Sequence, residues 1–345
     1  MMSGLSFDTS IFDLVDAQIM RCIQLYPRVP FSQVGEMLGV AEQTVARRYR
    51  RLRRDGLIRV TLAVDPSAMG ETVWLARIRC RPEASQGIAT ALAKRDDVSW
   101  VTINSAGWEV DFSLRSTSAA YADELLTRML PKTAQVLDVT VVAFIHVFIG
   151  GAATDWPGLV DVIPADAAGA LADSARRDVG RGPDGVPAIS RDDRLLIEQL
   201  QMDGRTSISM LSRITGSPPG KIGRRLSALL ASGVVYFDVD FAPAATGQWS
   251  SALWLTVEAQ QLAAVGSALA AEPGIPFAAA ITGAANVTAT IITPDLSSLY
   301  TFVTERLADL DGITGYEISP RTRLVKQSGA LVDGDRLAPP VLRPS

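Results

Sequence analysis

Residues 41–56 read AEQTVARRYRRLRRDG, and this stretch decides the fold. At helical spacing Val45, Tyr49 and Leu52 form an apolar stripe, while Thr44, Arg47, Arg48, Arg51 and Arg54 follow another face. The pattern predicts a helix anchored on one side and cationic on the other. Just upstream, FSQVGEML (31–38) predicts a short amphipathic helix with Phe31, Val34, Met37 and Leu38 inward, ended by Gly39, which tolerates positive φ. Helix, glycine turn and basic helix make a helix-turn-helix, whose second helix enters a major groove with its first turns against base edges. Between Ala41 and Arg59 seven arginines face two acids, a local +5 in a chain of net charge −4. An isolated arginine run is commonly no more than a solvated helix face. Here the preceding helix, the turn glycine and the inward stripe point it toward nucleic acid.

The 345 residues suffice for two to four domains, and 48% hydrophobic content describes a folded chain rather than a disordered one. The mildly acidic balance excludes a protein that coats nucleic acid indiscriminately and fits one that presents basic surface in particular places. Two cysteines, Cys22 and Cys80, offer neither a disulfide framework nor a metal cluster and are expected to be reduced packing residues. The start, MMSGLSFDTS, carries no export signal pattern. The uncharged stretch of residues 139–154 is rich in β-branched residues and shorter than the roughly 20 residues a membrane helix needs, so its first part reads as a buried strand. The expectation is a cytoplasmic protein with no membrane partner, no metal and no cofactor.

Ahead of the helix-turn-helix, residues 12–25 carry Leu14, Ile19, Ile23 and Leu25 on a helical period, with Asp13 as N-cap and Asp16 in the first turn. LIRVTLAV (57–64) comes next as a strand, broken by Asp65-Pro66. From Val73 the order is β-α-β-β-α-β: VWLARIRC, a helix over 83–95, VSWVTIN, a turn at Gly107, VDFSL, a helix over 117–130, and VLDVTVVAFIHVFI. That order suits a ferredoxin-like sandwich. Residues 150–187 are rich in Gly, Ala, Asp and Pro and read as a linker with one short helix over 165–177; if flexible, its span is on the order of 35 Å.

The second half of the chain repeats the first. An offset of 177 matches Asp16 to Asp193, Arg28 to Arg205, Gly39 to Gly216, Arg47 and Arg48 to Arg224 and Arg225, Leu52 to Leu229, Gly56 to Gly233 and Pro66 to Pro243 without a gap. The β-α-β-β-α-β order then recurs in SSALWLTV, a helix over 259–271, PFAAAIT, a turn at Gly283, NVTATIIT, a helix over 296–307, and ITGYEIS running into TRLVK. The fold class is α+β, with two copies of a winged-helix-like helix-turn-helix domain followed by a ferredoxin-like sandwich. The expected divisions are residues 8–64 and 70–150, a linker at 151–188, then 189–241 and 247–328, and a tail at 329–345.

The FDLVDAQIM opening, the LGVAEQTVARRYRRLRRDGLI helix pair, the VDPSAMG link and the SAGWEVD hairpin together make each half resemble a full subunit of the Lrp/AsnC (leucine-responsive/asparagine-responsive) transcription regulators, over 12–149 and 189–326. The resemblance implies a partner in double-stranded DNA, sequence-specific transcription regulation, and an effector-binding sandwich that self-associates through β-sheet dimers and often takes an amino acid or small metabolite. Carried over by position, the DNA-facing residues are Gln43, Thr44, Arg47, Arg48, Arg51 and Arg54, with Lys221, Arg224 and Arg225 in the second copy. The effector positions fall at Gly107, Trp108, Glu109 and Asp111, and at Thr282, Gly283 and Asn286.

The departures also carry information. Ala41 stands where the family usually has an N-cap serine, removing about 1 kcal/mol of capping, whereas Ser217-Pro218 reads as a good helix start. Ser227, Ala228, Leu230 and Ala231 replace Arg50, Arg51, Arg53 and Arg54, so the second reader offers fewer phosphate contacts. Asp111 lies four residues after Gly107 where the family spacing is three. Fusing two diverged subunits implies an intrachain pseudo-dimer, which self-associates further through exposed sheet faces. A competing reading is a siroheme-decarboxylase-like enzyme on the same scaffold, but the only histidine, His146, lies in an apolar strand and no catalytic constellation accompanies it. Another is a metabolite sensor or assembly scaffold with decayed DNA heads. Trp74, Trp100, Trp249 and Trp254 read as core residues on strands, and Trp108 as a ligand-facing or interface residue.

Overall fold

Asp13 begins the first helix as the sequence predicts. Its carboxylate accepts from the Asp16 amide while Asp16 accepts from the Asp13 amide, a reciprocal cap that satisfies two otherwise unpaired donors. The second half repeats the device with Ser190 and Asp193. The computed structural model describes residues 11–116, 135–151, 156–179, 189–246 and 249–339. It divides into two compact units, one collecting both helical heads and the other both sandwiches.

In the head unit, α1 (Leu14–Leu25), α2 (Phe31–Leu38) and α3 (Glu42–Arg54) are followed by β1 (Ile58–Val64). Val45, Tyr49 and Leu52 are buried as their spacing predicts, but Leu14 is 64% exposed because the cap geometry turns the first helical residue outward. A fifteen-residue helix, α5 (Ala165–Val179), packs against both α1 and the second reader helix, and Tyr26 donates to Asp178 across that contact. The flexible-chain picture of the linker therefore does not describe these residues. The second head comprises α6 (Arg191–Met202), α7 (Ile208–Thr215), α8 (Pro219–Ala231) and β6 (Val235–Phe241). The helix over 117–130 lies outside the described residues.

The two heads are joined through their strands. β1 pairs antiparallel with β6 from Ile58 opposite Phe241 to Val64 opposite Val235. The ladder is centred on Thr61 and Asp238, which the 177-residue offset makes equivalent, so the join is pseudo-twofold. Leu62 of the first half is buried among Leu196, Leu200, Leu211, Leu226 and Leu229 of the second. Such a shared core ties the heads into one body rather than two beads on a string.

The sandwich unit contains β2 (Thr72–Cys80), α4 (Pro82–Ala93), β3 (Val98–Asn104), β4 (Glu109–Ser116) and β5 (Val136–Ile149). Its second half contains β7 (Trp249–Val257), α9 (Leu262–Ala270), β8 (Phe277–Ile281), β9 (Val287–Thr293), α10 (Leu296–Thr301) and β10 (Ile313–Gln327). The two longest strands cross over. β5 pairs with β2 through its first part and with β8 through its last, while β10 pairs with β7 and then β3. Eight antiparallel strands thereby close into a ring in the order β10-β3-β4-β2-β5-β8-β9-β7, which removes the open edges each sandwich would otherwise expose. Residues 329–337, expected as tail, form a hairpin on β10 through β11 (Ala330–Asp333) and β12 (Arg336–Leu337). Trp254 is 5% exposed, but Trp249, expected in the core, is 39% exposed at the start of its strand. Both cysteines are buried free thiols. Among the described residues no helix is long and apolar enough to cross a membrane.

Candidate DNA interface and sandwich interior

Gly39 ends α2 with φ 65°, the left-handed cap predicted for it, and Gly216 repeats it with φ 70°. A Cβ on Gly35 would come within 2.6 Å of the Val40 carbonyl oxygen, so glycine allows the turn into α3 to close tightly. Ala41 caps α3 with no side-chain bond.

The arginines of α3 divide into two sets. Gln43, Arg47, Arg50, Arg53 and Arg54 are exposed, and Thr44 is half-buried. Arg48 instead donates to both Asp13 oxygens at 2.8 Å and to Asp16 at 3.1 Å, and Arg51 donates to the other oxygen of Asp16, which is buried. Arg53 pairs with Asp203 at 2.7 Å and Arg54 with Asp55 at 3.0 Å. Arg47 and Arg50 have no acidic partner among the described residues, and these two are the freest cations of the helix. Arg50 is not among the positions that the family resemblance assigns to DNA. Sequence alone gives the arginines of a face one role, but a long side chain reaches back to a buried carboxylate that a helical projection does not show.

The second head repeats the inward set and lacks most of the outward one. Arg225 donates through two nitrogens to the two oxygens of Asp193, both at 2.6 Å. Lys221 and Arg224 are exposed, Lys221 lying 3.7 Å from Asp192. Ser227, Ala228, Leu230 and Ala231 are half-buried on a helix that α5 packs against. Small and apolar residues suit a packed face where arginines would have to be desolvated. Pro218 and Pro219 start α8 with no side-chain cap; Ser217, predicted to help, instead accepts a bond from Ser212 at its carbonyl.

The expected effector positions do not converge at two matching hairpins. The strand registers keep the offset of 177, so Gly283 corresponds to Ala106 rather than Gly107, and Asn286 to Glu109. Gly107 is packed, since a Cβ there would meet Ser85 and Pro82 at 3.1 to 3.3 Å. Trp108 is 54% exposed. Thr282 accepts from the Ala143 amide at 2.9 Å, and the Asn286 side chain is occupied by both backbone groups of Val257. Glu109 and Asp111 turn inward instead, 6% exposed each. Burial pushes the Asp111 carboxyl up to about 7, against the opposing pull of Arg77. His146 lies edge-on to Phe148, whose ring abuts Gly266 of α9, so the histidine is on the helix-covered side of the sheet rather than inside the ring. Among the described residues no cluster of metal-ligating side chains occurs.

Fold and basic helices together define a protein with paired helix-turn-helix heads and a paired α+β sensor-type sandwich. Residues 12–53 match the AsnC-type helix-turn-helix domain and residues 251–331 the Lrp/AsnC ligand binding domain. An uncharacterised HTH-type transcriptional regulator of Pyrococcus horikoshii is 30% identical over 143 residues, covering 41% of this chain and 90% of the relative. The HTH-type transcriptional regulator FL11 of Pyrococcus furiosus is 27% identical over 119 residues, covering 34% and 78%. The chain belongs to the Lrp/AsnC family, with the family's unit occurring twice. Among solved structures, the siroheme decarboxylase NirDL matches 91% of this chain and 92% of its own with a TM-score of 0.59 at 14% identity, a likeness of fold alone.

Proposed function

We propose that this chain is a sequence-specific DNA-binding regulator that reads one asymmetric operator, α3 making the stronger contact and α8 the weaker. The observation that carries this reading is the contrast between the two equivalent helices. Arg47 and Arg50 are exposed on α3 without an acidic partner among the described residues, Arg50 donating only to the Ala46 carbonyl of its own helix, whereas α8 exposes only Lys221 and Arg224 and carries Ser227 at the position of Arg50. Because β1 and β6 fix the heads to one another, the half-sites have a set spacing. The freest cations take phosphates, and Gln43 and Thr44 on the first turn of α3 take base edges. Arg48, Arg51 and Arg225 act by holding the reader helices on their neighbouring helices. The sandwich unit is where a metabolite would bind and through which the chain self-associates further, with the spacing of the heads left as the β1–β6 ladder sets it.

The experiment is enrichment of duplexes from a random pool by the full chain, followed by footprinting. One recurrent site with a strongly and a weakly protected half supports the reading, and a failure to enrich any sequence rejects it.

The decarboxylase reading rests on fold likeness, and the position of His146 on the helix-covered side gives it no support from a site.

A further inference from the structure

The two heads cap their first helices with different residues. Asp13 and Ser190 are equivalent under the 177-residue offset, and each completes the same reciprocal cap, with Asp16 or with Asp193. The cap therefore does not require a charge at this position. Nor does anchoring of the reader helix, since Asp193 alone holds Arg225 with two bonds of 2.6 Å from two nitrogens. The negative charge of Asp13 is a surplus that neither local task explains.

What accompanies that charge is a second arginine. Arg51 of α3 takes one oxygen of the buried Asp16, and Ala228 stands at the same position in α8. With one oxygen taken, Arg48 does not grip Asp16 in the two-nitrogen fork by which Arg225 grips Asp193. Its three bonds all leave from Nη1, two of 2.8 Å to Asp13 and one of 3.1 Å to Asp16. Among the described residues its Nε has no acceptor. The fork that suits a carboxylate or a phosphate is thus unspent.

The side chain of Asp13 is 54% exposed, against 1% for Asp16. It lines a surface cavity of about 240 Å³ together with Arg47, Arg48 and Arg51. A neighbouring cavity of about 470 Å³ is lined by Arg47, Arg50, Arg51 and Arg54, so the two share Arg47 and Arg51. Among the described residues lining them, Asp13 is the one acid. An ion pair with one partner in water is held weakly, and its arginine exchanges for an anion that offers a better fork.

We propose that the cavity between the start of α1 and α3 is a seat for a DNA backbone phosphate, and that the Asp13 carboxylate fills it when DNA is absent. On binding, Arg47 and the unspent nitrogens of Arg48 take the phosphate in place of Asp13, while the bonds to Asp16 keep α3 anchored. Asp13 thereby holds back the sequence-independent part of the first head's affinity, the part that phosphates supply. The second head has no such counter-charge, because Ser190 leaves Arg225 committed to Asp193. This role rests on the DNA-binding reading above and adds to it a competitor for phosphate built into the chain.

The test is mobility-shift titration of the full chain across a range of salt, with the enriched operator and with an unrelated duplex. Asp13→Asn keeps size and capping while removing the charge, and Asp13→Ser copies the second head. Each is expected to bind both duplexes about threefold or more tighter at about 0.15 M salt, and to steepen the slope of log affinity against log salt by up to about 0.9. The ratio between operator and unrelated duplex should stay within about twofold, because the freed contact reads no base. In an Arg48→Gln background, Asp13→Asn is expected to yield less than half of that gain in log affinity, since the cation it frees is missing. If Arg48→Gln does not fold, the slopes of the two Asp13 variants decide. Unchanged or weaker binding by both Asp13 variants, an unchanged slope, or more than half of the gain surviving Arg48→Gln overturns this role while the native chain's DNA binding stands. A native chain that binds neither duplex overturns the DNA-binding reading and this role with it.

Discussion

Arg28 and Arg205 occupy equivalent positions in the two halves, and each guanidinium donates to the two carbonyls that flank the other. Arg28 reaches Gly204 at 2.5 Å and Thr206 at 3.0 Å, and Arg205 reaches Pro27 at 2.6 Å and Val29 at 2.7 Å. Arg205 also lies over the rings of Phe31 and Tyr49, and Arg28 over Phe237. The clasp fastens one head to the other beside the β1–β6 ladder, with charge-assisted bonds in a partly dry setting.

Removing one arginine of the clasp leaves two carbonyls unpaired in that setting. Arg28→Ala or Arg205→Ala is expected to lower unfolding free energy by about 2 to 4 kcal/mol, and the double variant by less than the sum, because the two share one interface. Chemical denaturation of the four members of the cycle measures both quantities. Strict additivity would mean that the arginines act separately.

Asp16 and Asp193 are the anchors of the reader helices. Asp193→Asn is expected to destabilise the protein, because it weakens the two charge-assisted bonds that Arg225 makes to the carboxylate. Burial raises the Asp193 pKa, but the bonds from Arg225 and Ser190 outweigh it and hold the carboxyl at about 2, below its unfolded value of 3.8. Its contribution is therefore present above pH about 4 and lost as pH falls through about 2. Acid unfolding of Asp193→Asn should lack that component.

Asp111 has the opposite sign. Its folded pKa of about 7 lies above the unfolded 3.8, so the folded chain holds a proton that the unfolded chain releases. Stability should fall as pH rises from about 4 to about 7 and level off above that, by on the order of a few kcal/mol. Thermal unfolding across this range should show the decline in the native chain, and Asp111→Asn should flatten it. An unchanged slope in Asp111→Asn would place the titration elsewhere.

Much of this architecture is legible in the sequence. Strands β3 and β5 occupy the predicted residues, 98–104 and 136–149, because β-branched runs are bounded by charges or glycines. The stripe of Val45, Tyr49 and Leu52 fixes α3 for the same kind of reason. What the sequence hides is partnership. A β-branched strand such as 58–64 does not state which edge it joins, and it joins its counterpart 235–241. Arg48 and Asp16 are 32 residues apart, and the recurrence of the acid as Asp193 opposite Arg225 is the clue the repeat holds. The charges of the ring interior sit on strands that the sequence shows only as alternation. Continuing the 177-residue offset past Gly70 sets Arg77 against Trp254 and Asp111 against Thr288.

The most direct measurement is the salt dependence of binding to the enriched operator, by mobility shift, for two paired variants. Each phosphate left without its arginine should reduce the slope of log affinity against log salt by about 0.9. Arg47→Ala with Arg50→Ala should lower the slope by close to twice that amount and weaken binding strongly. Lys221→Ala with Arg224→Ala should weaken it less. Equal losses of affinity from the two pairs, or a slope indifferent to Arg47 and Arg50, would contradict an operator read by unequal heads.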